Sequence, residues 1–219
     1  MKTILLTFLI LFPFVVVIRA QAVAEVCVTN RNAPPVSAYY WPPDTEVRVY
    51  FARSMFTTEQ RATLSDVMDI WSTAAARMGA AVKFSYAGET DGLAKCDSCL
   101  TITRREVYRT DRKHYAFFNP LKQSEDGLLI SAWIDFDFAT TSPNALQGFM
   151  AHEMGHGMGL WDCTTCKKNQ TIMNGFPGIN SNNGLIAPSA CDLEIVRQVY
   201  QLQRRVSKNI VAENDARKE

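Results

Sequence analysis

From residue 46 onward, alternation and helical spacing divide the chain into a readable series of elements. Residues 46–52 (EVRVYFA) alternate in polarity and are rich in β-branched and aromatic types, which predicts a strand with one buried face. Thr57 with Gln60 three positions on is a capping-box pattern and opens a long helix. Along it Leu64, Val67, Met68, Trp71 and Ala75 return at helical spacing, and Gly79 ends it. Strands are expected at 82–86 and 100–107, a short one at 115–118, and a strong one at 128–138 (LLISAWIDFDF). Ser142-Pro143 places an N-cap before proline at the first helical position, starting a second helix that runs to about Gly159. A glycine- and asparagine-rich loop fills about 163–188, and Ser189 caps a last amphipathic helix through Ile195, Val196, Val199 and Leu202. The order β-α-β-β-(β)-β-α-loop-α, without internal repeats, predicts a single α+β domain with a twisted mixed sheet over about 45–204.

What lies outside that series changes the picture at both ends. Met1-Lys2 is followed by nearly unbroken apolar sequence from Ile4 to Ile18, and Ala20-Gln21-Ala22 supplies small residues for cleavage. Residues 1–22 are therefore expected to be a signal peptide cut after Ala22, with Ala20 as the near alternative. The apolar run is about 15 residues and carries Pro13, shorter than the roughly 20 residues that span a bilayer. The mature chain is then expected to be exported (extracellular, or periplasmic) with no membrane contact. Residues 23–44 read as irregular because Pro34-Pro35 and Pro42-Pro43 break any regular element. Residues 205–219 read as a charged, frayed tail.

Composition excludes several classes. The chain has 219 residues, 47% hydrophobic, with 23 basic against 22 acidic side chains. That balance argues against a nucleic-acid surface and against a disordered polyelectrolyte. All six cysteines, Cys27, Cys96, Cys99, Cys163, Cys166 and Cys191, follow the signal segment. An even count in an exported chain reads as three disulfides, with fifteen pairings open. A structural zinc site on the two C-x-x-C pairs is the alternative, at a spacing far wider than a zinc ribbon uses.

The chemistry concentrates in His152-Glu153-Met154-Gly155-His156-Gly157-Met158-Gly159-Leu160-Trp161-Asp162. Helix positions four apart share a face, so His152 and His156 can point both imidazoles at one metal ion. Glu153, about 100° round the helix, can reach a water activated by that metal and take its proton. Two imidazoles leave zinc short of a protein ligand. The third histidine of the chain is His114; alternatively Gly159 turns the chain and brings Asp162 to the metal. Chance occurrence of the motif, with two core histidines, is the plain alternative.

These residues resemble the metzincin clan of zinc endopeptidases, and more narrowly the matrixin-like secreted metalloproteases. The clan pattern H-E-x-x-H-x-x-G-x-x-H/D followed by a methionine turn is matched by His152, Glu153, His156, Gly159 and Asp162. Thr171-Ile172-Met173-Asn174 resembles the methionine turn, which implies Met173 as an apolar floor beneath the metal. The resemblance implies one catalytic zinc held by His152, His156 and Asp162, with Glu153 as general base and a protein or peptide as substrate. It also implies a monomer, and that the edge strand before the active helix, about 128–138, holds an extended substrate. Aspartate in place of the usual third histidine makes the bound ion less electropositive. No counterpart of the long inhibitory propeptide of the vertebrate matrix enzymes is expected; a short occluding role for 23–44 stays open. A catalytically silent peptide-binding module on the same fold is the second reading, and an intact Glu153 speaks against it.

Weaker signals remain. Asp135 and Asp137 share one strand face, where a calcium site is open to them, although a polar-paired face is the simpler account. Asn169-Gln170-Thr171 is an N-glycosylation sequon.

Overall fold

The fold is that of a computed structural model, which describes residues 26–28, 33–105, 116–138, 140–167, 170–174 and 186–202. Residues 1–22, expected to be a signal peptide, lie outside the described residues, as do His114, Asn169 and the tail 205–219. Strand β1 (Glu46–Ala52) buries Val47, Val49 and Phe51 and leaves Glu46 and Arg48 exposed, as its alternation requires. Helix α1 (Thr58–Arg77) starts at the N-cap Thr57, whose side chain accepts from the Gln60 amide while the Gln60 side chain accepts from the Thr57 amide. Its stripe of Leu64, Val67, Met68, Trp71, Ala74 and Ala75 is buried.

Strands β2 (Lys83–Thr90), β3 (Cys99–Arg105), β4 (Ala116–Gln123) and β5 (Leu129–Asp137) complete one five-stranded sheet in the order β2-β1-β3-β5-β4. β1 pairs parallel with β2 and β3, and β3 parallel with β5; β4 alone is antiparallel, against β5. The mixed α+β architecture is thus as the element order implies. Strand β2 runs past the expected 82–86 because the ladder to β1 continues to the Ala52↔Thr90 pair, overriding a stretch that lacks apolar alternation.

The edge strand is a correction. Residues 128–138 were expected at the rim of the sheet, but β5 is paired on both sides, by β3 and β4. Among the described strands the outermost on that side is β4, an eight-residue strand where only 115–118 was expected. Pro120 explains both differences. It masks the strand pattern in sequence, and lacking an N–H it fits a ladder that is bonded on one side only, with register shifts at Pro120/Lys122 and Lys122/Gln123.

Helix α2 (Pro143–Gly157) is capped by the Ser142 side chain, which accepts from the Ala145 amide. It packs on α1 and against β4 and β5, and the Trp71 indole N–H donates to the Ala151 carbonyl at 3.0 Å. That bond fixes α2 one residue before His152. Helix α3 covers 190–202 among the described residues. The core also draws on Tyr40 and Trp41, from the segment read as irregular. Tyr200 of α3 donates its hydroxyl to the Trp41 carbonyl at 2.9 Å, tying that segment to the body.

The cysteines form three disulfides, Cys27–Cys191, Cys96–Cys99 and Cys163–Cys166, with Cα separations of 5.4, 5.5 and 5.4 Å. The four-thiolate zinc alternative is therefore set aside. Asp135, considered for calcium, meets the Arg105 guanidinium at 3.0 Å. No described helix is long and apolar enough to cross a membrane.

Candidate metal centre

The last two turns of α2 present His152, Glu153 and His156 toward one place. The rings of His152 and His156 lie 5.0 Å apart, nearly perpendicular. The His152 Nδ1–H donates to the Ile172 carbonyl at 2.7 Å, and the His156 Nδ1–H to the Leu160 carbonyl at 3.0 Å. With both Nδ1 atoms engaged as donors, Nε2 is the nitrogen of each ring left to ligate a metal, once the proton that His152 shares with Asp162 is displaced.

After His156 the helix must end and reverse. Gly159 takes φ +90°, a region that glycine enters without strain, and the Leu160 amide donates back to the Gly155 carbonyl at 3.0 Å. The residues beyond the turn are pinned from the other side by the strap 33–41. The Trp161 amide donates to the Pro35 carbonyl at 2.8 Å, the Ser37 amide to Gly159 at 2.8 Å, and the Trp41 amide to Gly157 at 2.9 Å. This brings Asp162 Oδ1 to 3.0 Å from His152 Nε2 and 3.7 Å from His156 Nε2.

The donor set suits zinc. A tetrahedral ion with ligands at about 2.0–2.2 Å spaces the ligand atoms roughly 3.3–3.5 Å apart. The two carboxylate-to-imidazole distances bracket that edge, and the three ligand atoms lie within 4.8 Å of one another. Two neutral imidazoles and one carboxylate are also a chemically fitting zinc set. Among the described residues this is the one such group of three.

Glu153 lies beside the group without joining it, 95% buried, with Oε2 3.9 Å from His156 Nε2. Its carboxylate accepts the Phe118 amide, which β4 directs away from β5. Burial, then the Asp162 charge, push Glu153 up to about 7 against the pull of His152. Burial and the neighbouring His152 bring His156 down to about 4. His152 rises to about 9, because its hydrogen bond to Asp162 and the charges of Glu153 and Asp162 outweigh the burial that opposes them.

Met173 is fully buried, and its sulfur packs against the backbone of Gly155, between the two histidines; a Cβ there would sit 2.5 Å from Sδ. The group that holds this turn lies outside the motif. Asp192, fully buried at the third position of α3, accepts from the Thr171 hydroxyl, the Ile172 amide at 3.2 Å and the Ser189 amide at 2.8 Å. The Ser189 hydroxyl accepts in return from the Asp192 amide, completing a capping box. One carboxylate thus anchors both α3 and the peptide whose carbonyl orients His152. The S-x-x-D spacing at Ser189 was a readable signal for the cap; its bond to residues 171–172 was not. Tyr39, on the strap, was also missed, and nothing in its local sequence marks it.

No family model matches the sequence, and no curated protein does. Among solved structures, metalloproteinase-II from Bacteroides fragilis is 9% identical with a TM-score of 0.39, covering 70% of this chain and 54% of that one. The chain thus spans about half the length of that protein. High choriolytic enzyme 1, a hatching enzyme zinc-protease from the medaka fish Oryzias latipes, is 8% identical, TM-score 0.44, with 74% and 94% covered. Myroilysin is 18% identical, TM-score 0.43, with 75% and 97% covered. At these scores the fold and the site rest on the chain's own sheet order and geometry.

Proposed function

We propose that the chain is an exported zinc endopeptidase of metzincin type. The observation that carries this is the meeting of His152 Nε2, His156 Nε2 and Asp162 Oδ1, with the buried Glu153 carboxylate beside them. Three disulfides support export, since such bonds persist in oxidising compartments.

His152, His156 and Asp162 would hold the zinc, which when bound supplies Lewis acidity toward water and the scissile carbonyl. Glu153 takes the proton of the attacking water and later returns it to the departing amine. Its burial beside the ligand group keeps that carboxylate out of bulk water and next to where the attacking water would lie. The Phe118 amide keeps that carboxylate oriented, and the outer edge of β4 offers main-chain groups to an extended peptide. Met173 supports α2 from beneath at Gly155.

The test is casein cleavage by chain purified from the exported fraction, run beside Glu153→Ala at matched zinc content. The expected result is cleavage by the natural chain and a loss of roughly 10²- to 10⁴-fold in the variant. Equal cleavage by both contradicts the reading. Zinc binding without cleavage by either would favour the silent peptide-binding module.

A further inference from the structure

Three aromatic rings stand in a row beside the metal ligands. Tyr39 stacks on Phe118 with centroids 5.6 Å apart and planes 13° apart, and meets Trp161 edge-on at 6.3 Å. At the far side of the row, Phe118 and Trp161 lie 6.4 and 5.8 Å from the His156 ring. Phe118 is buried against Gly157, whereas Trp161 is 47% exposed and Tyr39 half-buried. Trp41 and Trp71 are fully buried, so exposure of Trp161 is a feature of its position.

That exposure is not the looseness of a loop tip. The Trp161 amide is bonded to Pro35, and the strap is bonded again at Gly159 and Gly157. What sets this ring apart from the other exposed apolar side chains is its place beside the ligand group, on backbone that is pinned. Its surroundings name the occupant. Phe118 belongs to the outer edge of β4 and aims its amide at Glu153, so the row continues from the place where bond cleavage would occur. An extended peptide advances about 3.3 Å per residue. The Trp161 ring, centred 5.8 Å from His156, is therefore reached within two residues of the scissile bond, and Tyr39 adjoins it at 6.3 Å.

We propose that Tyr39 and Trp161 form a side-chain subsite that selects a bulky aromatic or large aliphatic substrate residue within two positions of the scissile bond. This rests on the endopeptidase reading, and its test separates the two. Peptides scanned with Phe, Leu and Ala at four positions around the cleaved bond are compared by kcat/KM. One position within two residues is expected to favour Phe and Leu about tenfold over Ala, carried in KM. Trp161→Ala reduces that preference to within about twofold and Tyr39→Ala weakens it, while Trp161→Phe retains it. Tyr86→Ala, an exposed aromatic on β2 across the sheet, keeps the natural preference. As a readout free of turnover, zinc-loaded Glu153→Gln is titrated with the Phe and Ala peptides while indole emission and iodide quenching are followed. The Phe peptide is expected to shield an emission that Trp161→Phe removes. Casein cleavage with a preference unchanged in both alanine variants overturns the subsite and leaves the endopeptidase standing. An indole response without any cleavage supports the subsite and counts against turnover. Neither cleavage nor response overturns both.

Discussion

The candidate metal centre has two halves that were built differently. The helical half, His152, Glu153 and His156, owes its geometry to backbone periodicity: ring spacing and side-chain direction follow once α2 exists. The other half, Asp162 with the turn 171–173, has no periodic backbone beneath it. It is placed by the reversal at Gly159, by three main-chain bonds from the strap, by the Cys163 amide bonded to the Met173 carbonyl at 2.7 Å, and by Asp192. A local rule positions the first half, and a set of long-range partners positions the second.

The largest break in that comparison should come from Asp192→Ala. It removes the acceptor of the buried Thr171 and Ile172 donors and leaves α2 untouched. Unsatisfied buried donors cost about 1–3 kcal/mol each, so a drop of several degrees in Tm is expected by calorimetry. Zinc affinity should fall about 10-fold, the scale of losing a supporting partner, because the Ile172 carbonyl that orients His152 is loosened. A loss of stability with unchanged zinc affinity would mean that the helix alone sets His152.

Gly155→Ala strains the seam between the halves. The new methyl would meet the Met173 sulfur in a fully buried position, and overpacking of this kind costs about 1–3 kcal/mol. Denaturant unfolding of the zinc-free protein checks it; an unchanged midpoint would mean that Met173 yields freely.

The smallest effect is a pH trend with opposite signs in two measurements. His152 is raised to about 9 in the metal-free chain, so its contribution to stability is full below its ordinary value of 6.5 and is lost as pH rises through 9. Zinc needs the neutral ring, so its affinity should rise over the same interval as that proton becomes easier to displace. Tm of the zinc-free chain and zinc affinity, each taken from pH 6.5 to 9, test the pair of signs. Parallel trends would contradict the contact between His152 and Asp162 as the cause.

How much could be read in the sequence follows the same division. The boundaries of β1, the capping box of α1 and the start of α2 at Ser142-Pro143 are local signals, and the structure places them where the pattern does. So are the histidine spacing and the glycine at which the chain turns after α2. Strand β4 was shortened and the sheet edge misplaced because Pro120 hides a strand whose one-sided pairing tolerates it. Tyr40 and Trp41 read as irregular chain between prolines, yet both are core, since burial there comes from α3 and the turn after α2. Asp192 stands 40 residues beyond His152 and Tyr39 over 110 before it. Neither position follows from periodicity, because loop closure joins them to the site.

The central claim, that both halves meet on one metal ion, is tested most directly by zinc titration with dissociation constants from chelator competition. It should be run on the natural chain, His156→Ala, Asp162→Ala and Glu153→Ala. One zinc per chain is expected, held as tightly by Glu153→Ala and at least 10- to 100-fold more weakly by the other two variants. Zinc binding that ignores both His156→Ala and Asp162→Ala, or no binding by the natural chain, would contradict it.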